Sequence, residues 1–127
     1  MCSAEEIGSS LGGAGAVAAA AAAEVVVLAV PYAAQRASVE EVRAELAGKI
    51  LIDVTVPLMP PRVSRVQLPA EGSAAVRAQR ILGDGVRVVS AFHNVAAHKL
   101  ATDQEVACDV LVFGDEKAAR EPIVELV

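Results

Sequence analysis

The chain is nearly empty of aromatic side chains: Tyr32, Phe92 and Phe113 are its only ones, and Trp is missing. A core without large rings must be built by close approach of small side chains, as when helices pack on a sheet in α/β domains. Missing rings also remove the stacking platforms used to grip single-stranded nucleic acid. Basic residues are the minority charge, 11 against 16 acidic, for a net charge of −5. No basic excess is left for a nucleic-acid or anionic-membrane surface, so neither is an expected partner. Cys2 and Cys108 are too few for a disulfide framework and suit a reducing, cytoplasmic setting. A secretory signal needs a basic start, and residues 1–10 carry only Glu5 and Glu6. The one long apolar run, Leu11 to Tyr32, is interrupted by Glu24 and turns from Ala-rich to β-branched midway, which argues against a membrane span.

What is present is a chain of 127 residues, one domain's worth, and 54% hydrophobic on the strength of 26 Ala and 21 Val. Residues 1–13 are small, polar and Gly-rich and read as a flexible N-terminus; the domain proper is expected over 14–127. Ala14 to Ala23 is almost pure Ala, a helix. Glu24 to Val30, closed by Pro31, reads as a strand buried on both faces. Ser38-Val39-Glu40-Glu41 forms a capping box that opens a helix whose Val39, Val42 and Leu46 share one face, and Gly48 stands where a helix ends. Ile50 to Val54 is a second buried strand. Residues 57–72 hold four of the six prolines and form an irregular connection. Gly72-Ser73 starts a helix through Leu82. Val86 to Phe92 is a third strand and Asp109 to Phe113 a fourth, after which Gly114-Asp115 caps a final helix. Strands alternating with helices predict an α/β fold, a parallel sheet wound with crossover helices.

In open parallel sheets, ligands bind beyond the carboxyl ends of the strands. Those ends read Val30-Pro31-Tyr32, then Asp53-Val54-Thr55-Val56-Pro57-Leu58, then Ser90-Ala91-Phe92-His93-Asn94, then Gly114-Asp115. Each has a structural reading beside a functional one. Tyr32 can cover the sheet edge, Asp53 and Thr55 can cap turns, and His93 with Asn94 can cap the helix that follows to Leu100. The first three ends form one rim if their strands are neighbours, and that coincidence strengthens the functional reading for the group.

Sharper motifs fail. Gly13-Ala14-Gly15-Ala16-Val17-Ala18 satisfies the dinucleotide fingerprint G-x-G-x-x-A, but residues 1–12 offer no strand before it. His93 and His98 are spaced for different sides of a helix, so no metal site is expected. Cys108, ahead of a buried strand and without a basic neighbour, reads as an inert core thiol. Leu51-Ile52-Asp53-Val54-Thr55 is similar to the phosphoacceptor strand of receiver domains, yet the acidic pair and the later Lys which that chemistry needs are missing.

Taken together, the segments Ala22–Tyr32, Leu46–Leu58, Val86–His98 and Cys108–Asp115 resemble the NADPH-dependent coenzyme F-420 (F420) reductases, in order and with matching spacing over roughly residues 16–127. The resemblance implies a Rossmann-like domain and an oxidoreductase that passes a hydride between NADP(H) and the deazaflavin ring of coenzyme F420. The cofactors carry that chemistry, and the protein holds two flat rings face to face. By resemblance, Pro31 and Tyr32 line the nicotinamide side of the cleft, with Arg36 nearby on the following helix. Leu58 contacts the ring system, and His93 and Ala97, with Asn94 beside them, lie where the rings meet. All are positioning or cofactor-binding residues, none a proton-transfer group. The family's full-length members also imply a homodimer.

The departures carry expectations of their own. Family members begin with a strand, a Gly-rich phosphate loop and a second strand that this sequence lacks, and many carry Asn where Val56 stands. The sheet is therefore expected to be incomplete at both ends, and the chain reads as an internal portion of such a reductase. The competing reading is a non-catalytic α/β module that associates through an exposed sheet edge.

Overall fold

Three short β-branched runs pair as strands because each carries apolar side chains on both sides of its backbone. In the computed structural model, which describes residues 14–102 and 104–127, they are β1 (Val25–Leu28), β2 (Ile50–Asp53) and β3 (Arg87–Ser90). The sheet is parallel throughout, in the order β1-β2-β3. Val25, Ile50 and Arg87 stand in register at one end, and Leu28, Asp53 and Ser90 at the other. The helices are α1 (Ala14–Ala22), α2 (Gln35–Val42), α3 (Ala74–Leu82), the single turn α4 (Ala97–Leu100) and α5 (Lys117–Leu126). The family of folds is the expected one, an α/β sheet with helices on both faces. Residues 1–13, read above as a flexible N-terminus, lie outside the described residues.

Strand side chains alternate, so β2 feeds two cores. Leu51 points to one face, where it joins Ala20, Leu28, Val39, Leu46, Ala78 and Leu82 from the side of α1, α2 and α3. Ile50 and Ile52 point to the other and pack with Val89, Ala119 and Ile123, the last two from α5. Every residue of β2 is buried. Polar side chains close the elements. Lys49 Nζ donates to the carbonyls of Ala20 (2.6 Å) and Ala21 (2.9 Å), capping the C-terminus of α1 with a cation, where the helix dipole favours one. Ser73 caps α3 by accepting from the Val76 N–H at 3.1 Å.

Several expectations are corrected. β1 is not buried on both faces: Val27 is 48% exposed, because β1 is an outer strand of the described sheet. The second helix does not open at Ser38. A 3₁₀ turn (Tyr32–Ala34) leaves Pro31 and runs directly into α2, so Ser38 sits inside the helix and the capping box goes unused. No fourth strand forms over residues 109–113. Phe113 alone meets β3, in an antiparallel bridge to Ser90 with N–H to carbonyl distances of 2.8 and 2.9 Å. A parallel return alongside β3 needs a packed crossover of a dozen or so residues, and one turn of α4 does not provide it. Without that strand Cys108 is exposed rather than a core thiol. Among the described residues, no helix is long and apolar enough to cross a membrane.

Candidate functional site

The register places Leu28, Asp53 and Ser90 side by side, so the segments leaving β1, β2 and β3 emerge on one rim, as the sequence implied. The fourth does not join them. Running antiparallel to β3, the chain passes Phe113 and packs Gly114 beside Val88, where an added Cβ would sit 3.3 Å from the Val88 carbonyl oxygen. Asp115 thus ends near Val86 and Arg87, at the amino end of the sheet. The Gly114–Asp115 pair does not cap α5 with a side chain either, since Glu116 holds the N-cap position.

Behind the rim lies a buried polar network that the sequence reading missed. Gln35, in the first turn of α2, is wholly buried, as is Asp53. Its Nε2 donates to Asp53 Oδ2 (2.6 Å) and to the Ala74 carbonyl (2.9 Å), with Thr55 Oγ1 at 3.2 Å. Its Oε1 accepts from Arg77 Nε at 2.6 Å. Asp53 Oδ1 accepts from the Thr55 N–H at 2.8 Å, closing the turn that leaves β2. Arg77 also donates from Nη2 to the Tyr32 carbonyl (3.2 Å), and its guanidinium lies 4.1 Å from the centre of the Tyr32 ring. One network therefore ties the exits of β1 and β2 to α3, with every buried polar side chain among the described residues satisfied. The turn-capping reading of Asp53 and Thr55 is the correct one. The sequence signal that could have found Gln35 was its place four residues after the strand-ending Pro31, opposite an acidic strand end.

The expected site residues occupy different levels of this rim. Pro31 and Leu58 are exposed apolar groups at the exits of β1 and β2. Tyr32 is buried beneath Arg77, so it supports the rim from inside. Arg36 is on α2 and pairs with Glu40 one turn on, at 3.4 Å. His93 is exposed, its Nε2 3.2 Å from Ser90 Oγ. Asn94 donates to the Asp109 carbonyl at 2.7 Å, and neither it nor His93 caps α4, whose N-cap is Ala96. Ala97 begins α4 and is exposed. Phe92, directly before His93, has φ 62, the left-handed region in which a bulky residue is strained. That turn folds His93 back toward Ser90, and no residue type in Ala91-Phe92-His93 announces it.

Residues 3–57 match the family model described as NADP oxidoreductase coenzyme F420-dependent. The F420-dependent NADP reductase of Methanothermobacter thermautotrophicus is 43% identical over 109 residues, covering 81% of this chain and 47% of that protein. The reductase of the same name from Methanocaldococcus jannaschii is 35% identical over 107 residues, covering 81% of this chain and 48% of that protein. The chain belongs to the F420-dependent NADP oxidoreductase family. It spans about half the length of these curated relatives. A crystal structure from Arthrobacter sp. FB24, assigned as an F420-dependent NADP reductase, superposes with a TM-score of 0.73 at 27% identity over 87% of this chain and 52% of that one. A hypothetical protein of Sinorhizobium meliloti superposes at 0.69, with 25% identity over 87% of this chain and 54% of its own. The family's fold is Rossmann-like, and the three described strands with their helices on both faces are part of that architecture.

The rim of this family member mixes apolar and neutral polar side chains. Pro31, Leu58 and Ala97 offer apolar contact, and His93 and Asn94 supply hydrogen-bonding groups. The charged Asp53 and Arg77 are turned inward and consumed by the network.

Proposed function

We propose that this chain forms the ring-binding part of an oxidoreductase that passes a hydride between NADP(H) and coenzyme F420. The observation that carries the reading is its similarity, at 35 to 43% identity over 81% of its length, to reductases named for that pair of coenzymes. When bound, the coenzymes would supply the redox chemistry, the exchange of a hydride between nicotinamide and deazaflavin with the accompanying proton taken from or given to water. The protein's part is orientation and exclusion of water. Pro31 and Arg36, at and just beyond the exit of β1, serve the nicotinamide side, with Tyr32 holding that exit from beneath. Leu58 contacts the ring system from the exit of β2. His93, held by Ser90, hydrogen-bonds a ring carbonyl or amide, with Asn94 and Ala97 beside it. The same reading makes residues 14–127 a partial dinucleotide-binding domain of a cytoplasmic homodimer. Nothing comparable supports a non-catalytic module binding through a sheet edge.

The test is to mix the purified chain with NADPH and oxidised F420 and follow the deazaflavin's visible absorbance. Loss of absorbance matched mole for mole by NADPH oxidation is the expected result. A folded chain that binds neither coenzyme and turns over neither would overturn the reading.

A further inference from the structure

The chain segments leaving β1 and β2 separate as they rise from the sheet. The last backbone bond between them runs from the Val54 N–H to the Leu28 carbonyl, at 3.4 Å. Beyond it, among the described residues, no backbone bond joins residues 29–34 to residues 55–58. The polar links that remain pass through one side chain. Gln35 follows the turn that leaves Pro31, which the Ala34 N–H closes on the Pro31 carbonyl at 2.8 Å. From there its amide nitrogen crosses to Asp53 Oδ2 and Thr55 Oγ1 on the β2 side. A second route, from the Tyr32 carbonyl through Arg77, ends on the oxygen of the same amide. An amide suits this buried place because it is neutral and two-sided. Its oxygen takes the guanidinium and its nitrogen faces the carboxylate, so it cannot turn over without setting donor against donor and acceptor against acceptor.

We infer that Gln35 is a positioning residue for the hydride step, which sets the spacing between the Pro31 wall and the Leu58 wall of the rim while touching neither coenzyme. The inference rests on the proposed function and names what holds the two ring-bearing walls in register. Hydride transfer needs the rings in near contact, and a misplacement of about 1 Å costs on the order of 100-fold in rate. Walls joined by packing alone would each still hold a ring, but not at a fixed distance from the other. Loss of Gln35 therefore acts on the pair of rings and not on either one alone. That signature separates positioning from binding and from stability.

The test compares the wild-type chain with Q35L, Q35E and Q35E/D53N, with circular dichroism reporting the folded fraction. Dissociation constants are read by fluorescence for NADPH alone, for F420 alone, and for F420 with NADP+ saturating. The single-turnover rate constant is read from the deazaflavin absorbance with NADPH and F420 saturating. In the wild type, NADP+ is expected to tighten F420 by about fivefold, a modest coupling between adjoining ligands. Q35L should bind each coenzyme alone within about twofold of wild type, lose that tightening, and transfer hydride about tenfold more slowly. Q35E sets one carboxylate against another and should behave like Q35L. Q35E/D53N exchanges amide and carboxylate, so a donor again faces an acceptor, and it should recover most of the coupling and the rate despite losing the bond to the Ala74 carbonyl. A role confined to stability would lower the amplitude, through the folded fraction, and leave rate constant and coupling at wild-type values; that result overturns the inference. So does weakening of one coenzyme alone, or a Q35E/D53N chain no better than Q35E. A wild-type chain that binds each coenzyme without coupling removes the inference alone; one that binds neither removes the proposed function as well.

Discussion

Gln35 Nε2 meets Asp53 Oδ2 at 2.6 Å, with both residues fully buried. The Arg77 Nε bond to the far side of the same amide fixes its orientation and points its dipole from the guanidinium toward the carboxylate. Gln35 thus stands between two charges that do not touch each other. Gln35→Leu is expected to cost about 2 kcal/mol in urea unfolding, the usual loss when a hydrogen bond to a charged buried group is removed. Adding Asp53→Val to that variant should cost less than the sum of the two single changes, because no carboxylate is then left without its donor. Strict additivity would show that the pair is not coupled.

Tyr32 is the sole Tyr, and the chain has no Trp, so its near-ultraviolet signal reports directly on the Arg77 contact. Arg77→Lys keeps a charge but loses the fork that reaches both Gln35 and the Tyr32 carbonyl. The expected outcome is a changed near-ultraviolet circular dichroism band with the far-ultraviolet spectrum intact, and a stability loss of about 1–2 kcal/mol. An unaltered tyrosine band would mean that the ring does not sit under the guanidinium in solution.

His93→Ala should lower the rate constant of coenzyme turnover by about 10- to 100-fold, the scale of losing a group that positions a reacting ring. Ser90→Ala, which removes only the hydroxyl 3.2 Å from the imidazole, should lower it less. Turnover unchanged in His93→Ala takes His93 out of the site.

Gly48 has φ +75 and open space where a Cβ would go, whereas Gly85, equally open, has no such backbone angle. Gly48→Ala is therefore expected to destabilise by about 1 kcal/mol through backbone strain alone. Gly85→Ala should be neutral or slightly stabilising. A pair of equal urea midpoints would show that the turn into β2 relaxes without cost.

The order of elements was legible in the chain because it depends on local composition: the Ala-rich run of α1, the apolar runs of β1 to β3, and Ser73 at the head of α3 each carry their signal within a few residues. The rim was legible for the same reason, since in a parallel sheet strand ends fall together whatever lies between them. Four features depended on groups distant in sequence and were decided only by the tertiary structure. Gln35 and Arg77 are 42 positions apart, and the place of Gln35 four residues after Pro31 hints at a role at the strand exit without naming Arg77 or Asp53 as its partners. The exposure of Val27 follows from which strand lies at the edge. Whether residues 109–113 form a strand depended on the direction from which they reached β3, and they arrive antiparallel, with Phe113 alone in contact. The left-handed turn at Phe92, which brings His93 onto Ser90, is imposed by the packing around it, against the preference of the residue itself.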